Sequence, residues 1–592
     1  MFRTIIATVV LCVTATSFAA AAERIRPLNF LTEDAFIGTR IREALLADMH
    51  GEMALSPNER QGVQRFYASR SYEPVWVTKD GLTAKAKLVL AEIVRADDWG
   101  LVASRYRLPA ATPAGPLSPD QRATLEAEFV RAVLRYATDA HVGQFEPTVI
   151  SDLIDRGSTA PDAFETLRNL ATTDAPDKVL LAYHPQHPQF EKLRQKYLEL
   201  TRSTAPVDAP IIIPEGPKLK PGASHEHVAL LRKRLKVEAA AGSDPTIYDE
   251  ALVAAVKEFQ TEHGLRRDGT MGRSLRTALN GQVKGNDRSA QAKRVLANME
   301  RLRWLPEDMG AVHVWDNIPE FTTRAIDNGK VIFEERIIVG RPSTPTPVFS
   351  DQFEYVEFHP YWNVPASIKV NELLPQIQRG GGGALARQGL QARYKGRVVN
   401  PSAIDWGGVD IRNIEIFQPP GRGNALGTVK FMFPNRHDVY MHDTPNKGLF
   451  NESMRAFSHG CMRLRNPHTF ADVLLDLGNG MSPAEVKKHF AGSDNHQVPL
   501  TNKIPVHVTY FTAWVADDGT LSFKNDVYGH DKRTTLALEG KFDQIQRQTG
   551  TKANLEILAR GSTYSDVDFP TIFDLSTNST RPSRKSNSRS KQ

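Results

Sequence analysis

The sequence predicts a multidomain α+β protein: a helical scaffold and a small three-helix module precede a mainly β domain that carries a lid insertion. Three observations predict it. The chain has 592 residues, about four times the ~150-residue prior for one domain. Apolar residues recur at helical spacing up to about residue 305, and segments rich in Val, Ile, Phe and Thr take over beyond it. A proline-rich stretch from Pro206 to Pro221 (PVDAPIIIPEGPKLKP) separates two helical regions, because each ring removes a backbone donor and fixes φ. With 41% hydrophobic residues the composition is that of a globular protein, which excludes wholesale disorder.

Residues 1–22 place Arg3 before the apolar run Ile5 to Val13 and a small-residue end at Ala20-Ala21-Ala22. This is the layout of a secretory signal peptide. The run falls short of the ~20 apolar residues that span a bilayer, and Thr14, Thr16 and Ser17 interrupt it. No transmembrane segment is expected after cleavage. Of the two cysteines, Cys12 and Cys461, cleavage leaves only Cys461. A disulfide framework and a Cys-based zinc finger are thereby excluded.

Residues 23–205 read as a helical scaffold, with helices over Leu82 to Ala96 and Ser118 to Ala140. Leu88, Leu90, Ile93 and Val94 are its expected apolar stripe, and Phe66, Tyr67 and Trp76 are aromatic core material. The linker spans 206–223. Residues 224–282 hold three short helices: His227 to Leu235, Asp249 (N-cap) to His263 with Gly264 as its stop, and Arg273 to Leu279. His263 has no companions that would make it a metal ligand. A helical connector spans 283–305.

The β domain spans 306–535. Strands are expected at Val312 to Trp315, Phe321 to Ile326, Val331 to Val339, Tyr355 to Phe358, Val429 to Phe433 and Val439 to His442, with a tight hairpin at Asp327-Asn328-Gly329. An insertion at about 366–405 contains a helix, Ser367 to Gln378, and a joint at Gly380 to Gly383. A glycine joint beside a β site suits a mobile lid. A helical segment (536–575) and a basic disordered tail (576–592) close the chain.

The formal net charge of +6 raises the question of an anionic partner. The tail holds Arg581, Arg584, Lys585, Arg589 and Lys591 and no acid. Setting these and Arg3 aside leaves a body without net charge, so a nucleic-acid partner loses its support.

The lone mature cysteine lies in Ser458-His459-Gly460-Cys461-Met462-Arg463, with His442 upstream at the end of an expected strand. A thiol attacks as thiolate, and an imidazole can take its proton and return it to an amine. Gly460 permits a tight turn whose backbone N–H groups converge on an oxyanion. The same pair would serve a cysteine peptidase or amidase in which water completes the reaction. A zinc site built from His437, His442 and His459 is disfavoured, because the first two flank a strand instead of following a ligand pattern. A non-catalytic wall-binding scaffold would leave the His442/Cys461 pair without purpose.

The stretch YMHDTPNKGLFNESMRAFSHGCMRLRNP from Tyr440 resembles the signature of L,D-transpeptidases with the YkuD-type catalytic domain. Val339 to Pro365 and Asn424 to Arg436 resemble the large, lid-bearing branch of that family, and Phe66 to Tyr106 is similar to its scaffold. Tyr248-Asp249, Val256 to Gln260, His263 to Leu265, Asp268-Gly269, Gly272 and Leu279-Asn280 resemble the small peptidoglycan-binding module. The likeness covers most of residues 60–535.

The resemblance implies Cys461 as nucleophile, His442 as general base and acid, and the backbone carbonyl of Asp443 as the group orienting His442. It implies backbone N–H groups of His459, Gly460 and Cys461 in the oxyanion hole, and substrate contacts from Trp362, Tyr440, Ser458 and Arg463. Arg463 stands where many members have Asn, and is suited to grip a peptide carboxylate. The implied reaction joins a donor stem tetrapeptide to an amine through a thioester, releasing D-Ala and making 3→3 cross-links. Attachment of envelope proteins and D-amino-acid exchange are the alternative acceptor reactions. No metal or organic cofactor is implied. The implied partners are peptidoglycan stem peptides and glycan, and the implied location is the periplasm.

Overall fold

The computed structural model describes residues 36–47, 54–106, 115–155, 157–202, 211–262, 265–284 and 288–548. The expected signal peptide with Cys12, His263 and Gly264, residues 549–575 and the basic tail lie outside the described residues. The chain divides into two compact units.

The first unit takes residues up to 90, 107–134 and 162–176. Its helix Pro57–Ala68 starts at a capping box formed by Ser56 and Glu59. A Cβ on Gly62 would lie 2.8 Å from the Phe164 backbone, so glycine lets this helix approach its neighbour closely. The fully buried Glu126 accepts hydrogen bonds from the amides of Val75, Trp76 and Val77 at 2.7, 3.0 and 2.9 Å and from the Tyr67 hydroxyl at 2.7 Å. These bonds hold the chain leading into the hairpin of β1 (Val77–Thr78) and β2 (Gly81–Leu82). In the helix Ala84–Val94 the buried residues are Ala86, Val89, Leu90 and Ile93, whereas Leu88 and Val94 are exposed. The expected stripe was therefore misplaced: at 100° per residue, 86, 89, 90 and 93 share a face that 88 lies opposite.

In the second unit, the expected connector is a core element. The helix Arg288–Leu302 packs Val295, Met299 and Leu302 against Phe190, Leu193, Trp315 and Phe511. Arg303 beyond it is fully buried, pairs with Glu300, and donates to the carbonyls of Ala140 and Trp99 at 3.2 and 2.7 Å. The small module has its own core of Val228, Leu231, Tyr248, Leu252, Val256, Met271 and Leu279. Ile213 and Leu219 belong to that core, and Arg276 donates to the carbonyls of Pro214 and Pro217, both at 2.8 Å. The described part of the expected linker, from residue 211, is thus packed onto the module.

The β domain holds β3 (Val312–Asn317), β4 (Thr322–Asp327), β5 (Lys330–Gly340), β6 (Phe349–Phe358), β11 (Val429–Met432), β12 (Met441–His442), β13 (Ala456–Ser458), β14 (Met462–Leu464) and β15 (His496–Thr509). They form one mixed sheet in the order β13-β5-β14-β12-β11-β6-β15-β3-β4, and β4 pairs back with β5. The pairing order therefore closes on itself, which removes most free edges. Asp327 pairs with Lys330, leaving a two-residue turn in which Asn328 and Gly329 both have positive φ, 47° and 78°. The helix Pro467–Asn479 sets Phe470 against Phe431 at 4.8 Å between ring centroids and seals the core.

Between β6 and β11 the chain leaves the sheet and forms a module of its own. Its strands β7 (Trp362–Asn363), β8 (Gln391–Tyr394), β9 (Arg397–Val399) and β10 (Glu415–Gln418) order as β7-β10-β8-β9. Its core includes Trp362, Ile368, Leu373, Leu385, Ile416 and Leu426, so the packed insertion runs from about 362 to 426. The expected helix is interrupted by a π-turn at Lys369–Leu373. The glycine run expected to act as a joint contains a close backbone approach: a Cβ on Gly382 would overlap the Pro401 carbonyl. A short hairpin of β16 (Ala513–Val515) and β17 (Leu521–Phe523) leads to the helix His530–Leu538. This helix is the last among the described residues and reaches into the expected 536–575 segment, a 3₁₀ turn follows at Phe542–Gln544, and the rest of that segment from 549 lies outside the described residues.

Candidate active site

β12 and β14 are parallel neighbours, with Met441 paired to Met462 and His442 to Arg463. Side chains alternate along a strand, and Met441 and Met462 are fully buried in the core. Tyr440, His442, Cys461 and Arg463 therefore share the opposite face. The sheet extends this row sideways, because His442 pairs with Lys430 and Lys430 with Glu357. Glu357, Lys430, His442 and Arg463 thus lie in register across four strands.

The His442 Nδ1 lies 2.5 Å from the Asp443 carbonyl oxygen. A carbonyl only accepts, so Nδ1 carries the proton and Nε2 presents a lone pair. Burial pushes the His442 pKa down to about 3, aided by the nearby Arg463 charge and opposed by the Asp443 bond. Burial pushes the Asp443 carboxyl up, but Lys447 and the amides of Thr428 and Thr444 outweigh it and hold it below the usual range. Lys447 Nζ is 2.7 Å from Asp443 Oδ1, and the Thr428 amide is 2.9 Å from Oδ2. Gly427, at φ +64°, leaves the room that this carboxylate fills.

Cys461 is half-buried, and its Sγ faces the Asp438 carbonyl at 3.9 Å. Burial raises its thiol pKa, while Tyr440, Lys430 and Arg463 act in the opposite direction. The Tyr440 ring carries Lys430 Nζ at 4.2 Å. Lys430 also pairs with Glu357 at 3.8 Å. Thiol and imidazole are therefore both neutral at rest, and Lys430 and Arg463 are the cations that act on the thiol.

The loop before Cys461 is set by local bonds. Gly460 has φ +119°, which excludes other residues in practice. Ser458 Oγ donates to the Cys461 carbonyl at 2.5 Å and accepts from the Gly460 amide at 3.2 Å. The Gly460 N–H, expected in the oxyanion hole, is thus engaged within the loop. Thr346 Oγ1 donates to the Gly460 carbonyl at 2.7 Å. His459 Nε2 pairs with Glu372, from the π-turn of the insertion.

Of the expected substrate contacts, Tyr440 and Arg463 face the site and Ser458 supports its loop. Trp362 is buried in the insertion's own core. Arg463 makes no ion pair with a carboxylate of the described residues, its Nε has no hydrogen-bond partner, and burial pushes its pKa down to about 10. Lys430, Glu357 and Glu372 went unnoticed in the sequence. The alternation Val356-Glu357 and Lys430-Phe431 was visible, but which strands pair was not. Upstream of β12, Asn435 Nδ2 donates to the carbonyls of Phe433 and Val439 at 2.6 and 2.7 Å, and Asp155 pairs with Arg436 and His437. Together they brace the turn that delivers Asp438 and Tyr440.

Three family models match the chain: a scaffold domain at residues 61–196, a putative peptidoglycan binding domain at 224–279, and an L,D-transpeptidase catalytic domain at 311–477. A curated protein of Haemophilus influenzae, a putative L,D-transpeptidase, is 31% identical over 255 residues, 43% of this chain and 51% of that protein. The chain thus spans about half the length of this curated relative. Among solved structures, an L,D-transpeptidase from Mycobacterium smegmatis aligns at 14% identity and a TM-score of 0.17, covering 34% of this chain and 58% of that one. One from Stackebrandtia nassauensis aligns at 14% identity and a TM-score of 0.19, covering 49% and 94%. His442 and Cys461 both lie inside the matched catalytic segment, so residues 311–477 carry an L,D-transpeptidase catalytic domain, behind a scaffold domain and a putative peptidoglycan binding domain.

Proposed function

We propose that this protein is a peptidoglycan L,D-transpeptidase acting in the periplasm, with Cys461 as nucleophile and His442 as its base. The observation that carries the reading is that Cys461 directly precedes β14, the parallel neighbour of the strand β12 that ends at His442, with His442 Nδ1 tied to the Asp443 carbonyl. The tie leaves Nε2 as the proton acceptor.

In the first half-reaction, Nε2 takes the Cys461 proton as sulfur attacks the carbonyl of the third stem residue. Lys430 and Arg463 offset the negative charge that develops on sulfur. The tetrahedral intermediate collapses, its C–N bond breaks, and the imidazolium protonates the departing D-Ala amine. A thioester remains. In the second half-reaction an acceptor amine attacks the thioester carbonyl, Nε2 receives the amine proton, the C–S bond breaks, and the thiolate is reprotonated. The product is a 3→3 cross-link. General acid–base help of this kind contributes roughly 10²- to 10⁴-fold.

The test incubates full-length protein with disaccharide-tetrapeptide and follows products by mass spectrometry. D-Ala release with dimer formation, both absent in Cys461→Ala, is the expected result. Persistence of either in that variant would sink the mechanism, and monomeric tripeptide alone would reassign the enzyme as a hydrolase.

A further inference from the structure

Glu372 stands out because its two carboxylate oxygens have different fates. Oε1 pairs with His459 Nε2, two residues before Cys461. Oε2 is buried and has no hydrogen-bond partner. An anionic oxygen removed from water without a donor is costly. The residue is delivered by the π-turn Lys369–Leu373, a local distortion that often marks functional sites. Lys369, on the same turn, does not neutralise it, because its Nζ donates to the carbonyls of Arg412 and Ile414 at 3.0 and 2.9 Å. The charged groups acting on Cys461 are the cations Lys430 and Arg463. The insertion thus brings an under-satisfied carboxylate to the nucleophile's own loop.

We infer that Glu372 recognises the acceptor amine: its free oxygen accepts a hydrogen bond from the incoming ammonium and takes up its extra proton, so that the neutral amine attacks the thioester and His442 Nε2 receives the second proton. This rests on the transpeptidase reading and deepens it, since it names a cationic primary amine as the acceptor class and assigns its selection to the inserted module. A charged hydrogen bond supplies what the buried oxygen lacks. Donor acylation does not call on Glu372 in this way, so the two half-reactions depend on it differently.

The test is a double-mutant cycle between ligand and protein. Calorimetric binding of disaccharide-tripeptide to full-length Cys461→Ala protein is compared with binding of the same ligand N-acetylated on its side-chain amine. Both ligands are then measured against the Cys461→Ala/Glu372→Gln protein. Acetylation is expected to weaken binding at least tenfold when Glu372 is present and to have almost no effect when it is replaced. Equal losses on both proteins, or no loss on either, would overturn the inference. Glu372→Asp, which keeps the charge, should retain part of the discrimination and stands in if the Gln variant fails to fold.

Turnover supplies a second readout. Glu372→Gln should raise the acceptor concentration for half-maximal dimer formation at least tenfold, with D-Ala release falling less than threefold. A parallel fall in both would mean that Glu372 only positions His459. Failure of the transpeptidase reading itself would show separately, as D-Ala release that does not depend on Cys461.

Discussion

Two rows of residues cross the same four strands, one register step apart, and share almost nothing. Val356, Phe431, Met441 and Met462 point into the core and are fully buried. Glu357, Lys430, His442 and Arg463 point the other way and are all ionisable side chains. The apolar row sets the strand positions by burial, and the polar row inherits those positions for chemistry. A rigid sheet can hold catalytic groups in fixed relation because its opposite face is anchored.

The comparison can be broken at either row. The largest effect is expected from Cys461→Ala, which should lower D-Ala release by at least about 10⁴-fold, as loss of a covalent nucleophile does, while the thermal midpoint barely moves. Phe431→Ala should do the reverse. Removing a buried Phe costs about 3–5 kcal/mol, read as an earlier denaturant midpoint, and turnover per folded molecule should stay close to wild type. If Phe431→Ala abolished turnover while still folded, the division of labour between the rows would fail.

Lys430→Met should give a smaller effect. Without the ammonium over Tyr440, the Cys461 thiol becomes a weaker acid, and its alkylation rate at pH 8 should fall about threefold to tenfold, with the pH profile displaced upward. An unchanged profile would remove Lys430 from the account of the thiol.

The mildest expectation concerns acid. Burial holds His442 at about 3 and His187 and His507 at about 4, below the ~6.5 of an unfolded chain. As pH falls through 6.5, the unfolded chain takes up protons that the folded chain refuses until about 4. Stability is therefore lost progressively across that window. The thermal midpoint should decline between pH 7 and 4 and hold steady from 7 to 8. Asp316 and Asp139, which burial raises to about 7 and about 6, take up protons in the folded chain over the same window and make the decline shallower; a midpoint that rose on acidification would contradict neutral buried imidazoles.

Much of this was legible in the sequence. The hairpin at Asn328-Gly329 follows from residues that tolerate positive φ, and the Ser458 to Cys461 motif with His442 upstream is where the proposed nucleophile and base were read. The misplaced stripe at Leu88 and Val94 shows the weakness of helical periodicity in a helix rich in apolar residues. The connector became a core helix because partners distant in sequence, Phe190, Trp315 and Phe511, cover it. The supposed linker joined the small module because Arg276 reaches back to the carbonyls of Pro214 and Pro217.

By itself, the sequence determined which groups are proposed as reactive and the local turns that display them, since thiol chemistry, imidazole basicity and glycine torsions are properties of single residues and their neighbours. Only the tertiary structure decided which groups surround them. Lys430 and Glu357 reach the site through strand pairing, Glu372 arrives on an insertion 87 residues before its partner, and Asp155 braces the turn from the scaffold side of the chain. Such placements depend on which strands pair and which surfaces are buried together, and these are settled by the fold's collective energy.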